Sequence, residues 1–565
     1  MQSEDLELQL VRNTELANIQ RTLKYAVRQG PSSQDWVAYP ASSTTNSSIQ
    51  FQVQPPSENS AISRCFLIET VYNFQVKISA AAGSYPNNYS PFVWGLNAAT
   101  QAFPFNQNIV TATLNINGHS NSISTQDVLP QLLRLMDSEE LQELCGLTPS
   151  LVDKFRLYKD GLTLPCNPLG GINISSHNEF LLPRGVHPIE ELAFTSDPAG
   201  VTTGKWGNAN TQSITASFKI TIVEPLFISP LIFKRYPNND QAFIGVQGIN
   251  VNLSTDAKYE RFFSINTTAA NRANNNVVTA TVTTTGQIVK STLYLHYMSL
   301  QPGHSIESRN ILPYMEYARY PQTIKALGGD GAVGAKAPKE TTINSNAIQV
   351  SQMPDKIIIA VRPESRPSNV ADYYLPITNV NFTLGTQSGL LSTASPFQLY
   401  QLSCDAGLKM SWYEWSGLVN TENGNLIKTV GSILVIDPTM LNLPEYLAPG
   451  SNGQFNISFK ITVRNDTGND FDGQMITILC NSGAYVIQSG KASSYLQLLD
   501  KASVISLNEE QGQNAMSKAQ LDRMVGGAGL SDSVVNGLQD LHMVQNKKGG
   551  SRSGGRKSKL DQFLL

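Results

Sequence analysis

Short runs of alternating apolar and polar residues recur along most of this chain, and a period of two fits a half-buried β-strand but not a helix. Ile49, Phe51 and Val53 alternate with glutamines, and Phe74, Val76 and Ile78 share one face of the run from Cys65 to Ile78. Ile109–Ile116 and Ser213–Val223 repeat the pattern. From Phe243 onward it returns in Ile249–Leu253, Val277–Val282, Ser291–Leu300, Ile348–Val350, Lys356–Val361, Ile433–Ile436, Phe455–Val463 and Met475–Ile487. That many short strands with turn residues between them predict an all-β chain of stacked antiparallel sheets. Composition agrees. Charged residues are 15% of the chain, against about 25% in an average globular protein, and Asn, Ser, Thr, Gln and Gly take their place.

Other segments break the pattern. Leu6, Leu10, Leu16, Ile19, Leu23 and Val27 have helical spacing, so residues 1–45 read as an amphipathic helical arm. Asp137 and Glu140 have capping-box spacing ahead of Leu141, Leu144 and Cys145, and Thr148-Pro149 reads as a second helix start. Ser395-Pro396, followed by Phe397, Leu399, Tyr400 and Leu402 and closed by Gly407, reads as a short capped helix. The expected organisation is an arm at 1–45, a first β-domain at 46–235, a second at 236–495 and a flexible tail at 496–565. The chain also echoes itself. Ser217–Val223 returns as Ser458–Val463, each behind a Leu/Pro/Gly turn and an earlier apolar strand, which favours duplication.

The net charge of −3 argues against a chain that binds polyanions along its length. Five widely spaced cysteines, with no CxxC, predict reduced and mostly buried thiols. The acidic N-terminus lacks the apolar core of a secretory signal, so the Asn-x-Ser/Thr sequons at Asn173, Asn266, Asn381 and Asn456 read as chance. Ile220–Phe233, the most apolar stretch, is interrupted by Glu224, Pro225 and Pro230 and is too short to cross a bilayer.

No catalytic set, cofactor site or metal site emerges. The histidines (His119, His177, His187, His296, His304 and His542) never adopt the spacing that puts two imidazoles on one helical face. His296 reads as a satisfied sheet residue. Gly329–Lys336 lacks the Gly-Lys-Ser/Thr ending of a phosphate loop and reads as a flexible loop. Trp412-Tyr413-Glu414-Trp415 could stack a sugar or base, but core or interface packing fits a sheet-rich chain better.

One short motif carries mechanistic content. Met524-Val525-Gly526-Gly527-Ala528 places an apolar residue ahead of two glycines that can thread a narrow protease cleft. It resembles the sites cut by adenovirus-type maturation proteases, and it reads equally as a linker. Cleavage after Gly527 would release a basic, Gly-rich segment carrying Lys547, Lys548, Arg552, Arg556, Lys557 and Lys559, whose composition predicts disorder. That segment could contact packaged DNA, direct nuclear import or serve as a scaffold.

The run Gln352-Met353-Pro354-Asp355-Lys356-Ile357-Ile358-Ile359-Ala360-Val361-Arg362-Pro363 is similar to a stretch in the double-jelly-roll major capsid proteins of polinton-like viruses and virophages. Gln241–Leu253, Ser432–Pro438 and Phe455–Asn465 resemble other parts of the same proteins, so the likeness covers mainly residues 236–490. The resemblance implies two tandem eight-stranded antiparallel jelly rolls and homotrimers that form pseudo-hexagonal tiles. It implies an icosahedral virion shell around a DNA genome, with synthesis in the host cytoplasm. Its partners would be further copies, minor or penton proteins and a maturation protease. Insertions between strands, such as 125–160 and 324–346, could form loops that lock neighbours or face solvent. Two other classes stay open: a carbohydrate-binding adhesin module, and a cupin-like enzyme needing His and carboxylate ligands inside one barrel.

Overall fold

The computed structural model describes residues 8–11, 25–28, 33–56, 60–81, 92, 98–137, 141, 150, 152–156, 189–197, 206, 211–232, 242–259, 261–265, 281–299, 309–327, 339–364, 371–420, 426–441, 443, 449, 451–466, 471–496 and 499–500. The chain divides into two compact units. One comprises residues 1–30 and 498–565, the other 31–497.

Within residues 31–497 the alternation becomes two sandwiches. The first has β1 (Ser33–Pro40), β2 (Ser48–Val53), β3 (Leu67–Ser79), β4 (Ile109–Ile116), β5 (His119–Ile123), β6 (Ser213–Pro225), β7 (Ile249–Thr255) and β8 (Thr281–Ser299). The second has β9 (Arg309–Leu327), β10 (Ile348–Gln352), β11 (Lys356–Pro363), β12 (Ile377–Leu384), β13 (Gln387–Leu390), β14 (Leu434–Ile436), β15 (Ser451–Asn465) and β16 (Phe471–Gln488). In the first, one sheet runs β1-β8-β3-β6 and the other β2-β7-β4-β5. In the second, the orders are β9-β16-β11-β14 and β10-β15-β12-β13. Adding eight to each label converts one pair of sheets into the other. All these pairings are antiparallel, and the two opposed four-strand paths have jelly-roll connectivity. Further strands extend the sheets, among them Ile189–Asp197 beside β6 and Lys339–Asn344 beside β15.

The inward residues are the ones the period of two selects. Ile49, Phe51, Phe74, Val76, Ile78, Ile220, Ile222, Ile249, Val251 and Leu253 are at most 2% exposed. Phe74 sits at the centre of an aromatic cluster, with Phe262 at 4.5 Å, Phe263 at 5.0 Å and Tyr259 at 5.1 Å. Gly286, opposite Phe74 in β8, makes room for it, because a Cβ there would lie 2.5 Å from the Phe74 ring.

Three expectations are corrected. The 235/236 boundary falls inside the first sandwich, since β7 pairs with β2 and β4, and β8 with β1 and β3. Strand pairing in a sandwich closes only when the late strands return to the early ones, which a local reading of composition does not register. The arm is not a helix over its described parts. Leu8–Val11 pairs with Tyr25–Arg28, and Ser33–Pro40 is the edge strand β1. Val11, Tyr25, Val27, Trp36, Val37 and Tyr39 are β-formers, and a lone helix has little stability of its own to oppose pairing. Finally, the repeated segments are not equivalent in the fold. Ser217–Val223 lies in β6 and Ser458–Val463 in β15, whereas β6 corresponds to β14, and β15 to β7. Central strands with one buried face converge on similar hexamers. The repetition lies in the pairing order.

The helix expected after Ser395 is present as Pro396–Asp405, with Ser395 and Gln398 forming a complete capping box and Gly407 at φ +106°. An unexpected helix, Thr125–Leu132, carries Pro130 in its interior. At Asp137 the Leu141 N–H donates to the Asp137 carbonyl, as a first helical turn there requires. The segments around Thr148-Pro149, Ile172, Phe180 and Gly329–Lys336 lie outside the described residues.

Candidate functional site

The Pro-Asp-Lys-Ile run forms β11 and the turn that leads into it. The Asp355 N–H donates to the Cys480 carbonyl at 2.8 Å, and its carboxylate accepts from the Ser482 N–H at 2.6 Å, which anchors the turn to β16. Six consecutive residues of β11, Ile357 to Arg362, are then buried, so both faces of the strand are covered. A strand buried on both sides needs an unbroken apolar run, and Arg362 is the exception that marks a partner.

That partner belongs to the other sandwich. The Arg362 guanidinium donates to Asp127 of Thr125–Leu132, which also accepts from Arg319 of β9. Arg362 donates to Gln474 at 2.8 Å as well. Asp127 is 4% exposed and Arg362 6%. Buried charges are tolerated only when paired and hydrogen-bonded, so this triad fixes one sandwich against the other. Other bonds extend the seam. Arg64 donates to the Pro230 carbonyl at 2.9 Å and the Pro313 carbonyl at 3.1 Å, and Arg261 donates to Gln107 at 2.8 Å and to Asp372. His119 meets the Ser494 hydroxyl at 3.0 Å. Phe155 bridges to Thr429, and the Arg156 guanidinium lies 3.5 Å above the Tyr373 ring.

The outer surface offers a second feature. Phe397 is 49% exposed and Tyr413 61%, beside a half-buried Trp412 that packs edge-on against Phe397 at 5.3 Å. Trp415, by contrast, is buried and donates its indole N–H to the Ile433 carbonyl at 2.9 Å. The Trp-Tyr-Glu-Trp run is therefore divided between core and surface. On the first sandwich, Trp36 of β1 is 41% exposed and stacks on His296 at 4.7 Å, which places that histidine within the sheet.

Cys404 and Cys480 are free thiols, and burial pushes Cys480 up to about 12. Among the described residues no three His, Cys, Asp or Glu side chains converge on a metal position, and no helix is long and apolar enough to cross a membrane. Gly526, Gly527, Ala528 and the basic residues Lys547, Lys548, Arg552, Arg556, Lys557 and Lys559 lie outside the described residues. The seam residues Asp127, Arg319 and Arg261 were not singled out by sequence. Their partners stand 111 to 235 positions away. The one available signal was a charged Arg362 within an otherwise apolar strand.

Two family models match the chain in tandem. The Sputnik virophage major capsid protein first domain matches residues 4–298, and the major capsid protein V20 C-terminal domain matches 318–483. The chain belongs to the Sputnik virophage major capsid protein family. This capsid protein is 23% identical over 554 residues to the capsid protein V20 of Sputnik virophage, covering 94% of this chain and 85% of that one. Its fold is similar to that of the Sputnik virophage structure determined by cryo-EM (TM-score 0.73, 20% identity, 91% of this chain and 98% of that chain). It is also similar to the crystal structure of the mavirus major capsid protein (TM-score 0.65, 15% identity, 90% and 99%). The capsid protein is thus a viral structural protein of the virion, with a double-jelly-roll fold, and the adhesin reading is not favoured. The two matched spans part between residues 298 and 318. Strand pairing divides the sandwiches there too, between β8 and β9.

Proposed function

We propose that the capsid protein assembles as a homotrimer whose six sandwiches form a pseudo-hexagonal tile, and that tiles close into an icosahedral shell around a DNA genome. The observation that carries this is the pairing order that repeats, eight labels on, within one chain. Two like sandwiches fixed side by side by buried ion pairs make one third of a six-fold outline, and a three-fold operator completes it. The chain itself makes and breaks no bond in this role. One domain spans β1 to β8 and the next begins at β9. Minor or penton proteins occupy positions the tile cannot fill. A maturation protease of adenovirus type cuts after Gly527, and Lys547, Lys548, Arg552, Arg556, Lys557 and Lys559 neutralise DNA phosphates before or in place of that cut.

Negative-stain microscopy of the purified full-length protein tests the assembly. Three-fold particles with a hexagonal outline, or shells built from them, are expected. A compact monomer at all concentrations overturns the proposal.

A further inference from the structure

The seam inside this chain is directional. The first sandwich presents its edge strand β5 and the helix Thr125–Leu132 that follows it, and the second receives them on the sheet β9-β16-β11-β14. Asn121 of β5 accepts from the Tyr314 hydroxyl of β9 at 3.5 Å, and the His119 ring lies 5.7 Å from that of Tyr485 in β16. Asp127 of the helix meets Arg319 of β9 and Arg362 of β11.

Each half of the chain carries both parts of that contact. Adding eight turns β5 into β13, and the helix that follows β13 is Pro396–Asp405. Each helix packs on the neighbour of its edge strand, β4 in one half and β12 in the other. The receiving sheet β9-β16-β11-β14 corresponds to β1-β8-β3-β6. Among the described residues these two corresponding surfaces stay open. The first turn of Pro396–Asp405 leaves Phe397 exposed, with Tyr413 exposed nearby. The outer face of β1-β8-β3-β6 holds a depression of about 420 Å³, lined by Asn73 and Gln75 of β3, Ser217 of β6, and Thr285 and Gln287 of β8. Four of these five side chains are exposed, and Ser217 is half-buried. The exposed Trp36 lies on the same face. It stacks on His296, which shares its side of β8 with Tyr294, and Tyr294 donates to Glu69 on the Asn73 side of β3. The depression offers amides and hydroxyls and no charge, so aromatic rings seat there without stranding an ion.

We propose that Phe397 and Tyr413 of one copy dock in the depression on β3, β6 and β8 of the next copy. This rests on the homotrimer proposed above and names its contact faces. The contact is head-to-tail, and three copies close it into a ring. The seam within a chain and the contact between chains then alternate around six sandwiches. Exposed aromatic anchors are the residues such interfaces favour, and the Tyr413 hydroxyl gives the amides of the depression a hydrogen-bonding partner.

The test uses the intact full-length protein. Phe397→Cys and Thr285→Cys are combined in one chain. Oxidation is expected to give covalent dimers and trimers on a non-reducing gel, and neither single variant should give trimers. Phe397→Asp with Tyr413→Asp should weaken trimer association at least about tenfold in sedimentation, with an unchanged circular dichroism spectrum, and Thr285→Arg should do the same from the other side of the contact. Trimers that form no cross-link, or that the charged variants do not weaken, overturn the proposal and leave the homotrimer standing; the aromatic surface then serves another occupant, a glycan or a minor protein. A wild-type chain that stays monomeric at all concentrations overturns both. The cross-link decides the matter even if the charged variants fail to fold.

Discussion

Asp127 stands between two guanidinium groups, with Arg362 deep in the seam and Arg319 one-third exposed. Truncating a buried charge strands its partner, which costs about 3–5 kcal/mol, whereas removing both partners costs far less. Asp127→Ala is therefore expected to lower the midpoint of urea unfolding by a free energy in that range, and Asp127→Ala with Arg362→Met to recover most of it. A loss under about 1 kcal/mol for the single variant would refute the claim that the triad fixes the seam. Cys480 gives an independent readout. Burial raises its thiol to about 12, with Asp355 adding and Lys356 opposing. The folded state thus holds that proton more tightly than the unfolded chain, whose thiol titrates near about 8.5. The contribution is complete below that value and is lost as pH rises toward 12. At pH 8, iodoacetamide should modify the half-buried Cys404 first and Cys480 only after denaturant is added; equal rates in the native protein would refute the burial of this thiol. The inward residues of β2, β3 and β7 were legible in the sequence because a period of two is a local property. Asp127 was not, because its meaning comes from arginines about two hundred positions away.

Elements read well from sequence where their start and stop signals are chemical. Ser395, Pro396, Gln398 and Gly407 define one helix, and both reciprocal bonds of its capping box are made. The helix covers β14, with the Ser403 hydroxyl accepting from the Val435 N–H at 3.1 Å. Ser395→Ala should cost about 1 kcal/mol, seen as faster hydrogen exchange across 396–405; unchanged exchange would show that packing on β14 alone holds the helix. Thr125–Leu132 was obscured by Pro130, which reads as a helix breaker, yet this helix brings Asp127 to the seam. The N-terminal segment failed in the opposite sense. Leucine spacing suggested a helix, but β-branched and aromatic residues between the leucines are drawn into strand pairs wherever a partner is available.

At the scale of the whole molecule, the all-β class and the double sandwich were legible, and the boundary between the halves was not. The class follows from composition and alternation summed over hundreds of residues. The boundary depends on which strand returns to which, and β7 and β8 return across about 200 positions to β2 and β3. The proposed DNA-contact and scaffold roles of the tail belong to this scale, because both would act in assembly. Deleting residues 528–565 is expected to leave tile formation intact and to lower the DNA content of purified particles, measured by absorbance ratio. Unchanged assembly and unchanged DNA content together would remove both the DNA-contact and the scaffold readings.

β11 has no face to spare. It contributes to its own sandwich on one side, and on the other Arg362 reaches across to Asp127. A lineage that exchanged one half of this chain for the corresponding half of a relative would inherit a mismatched underside and orphaned charges. Viable recombinants should therefore keep both halves from one parent and place their crossovers outside the pair. On that expectation the doubled architecture, though it repeats itself, would pass on as one unit.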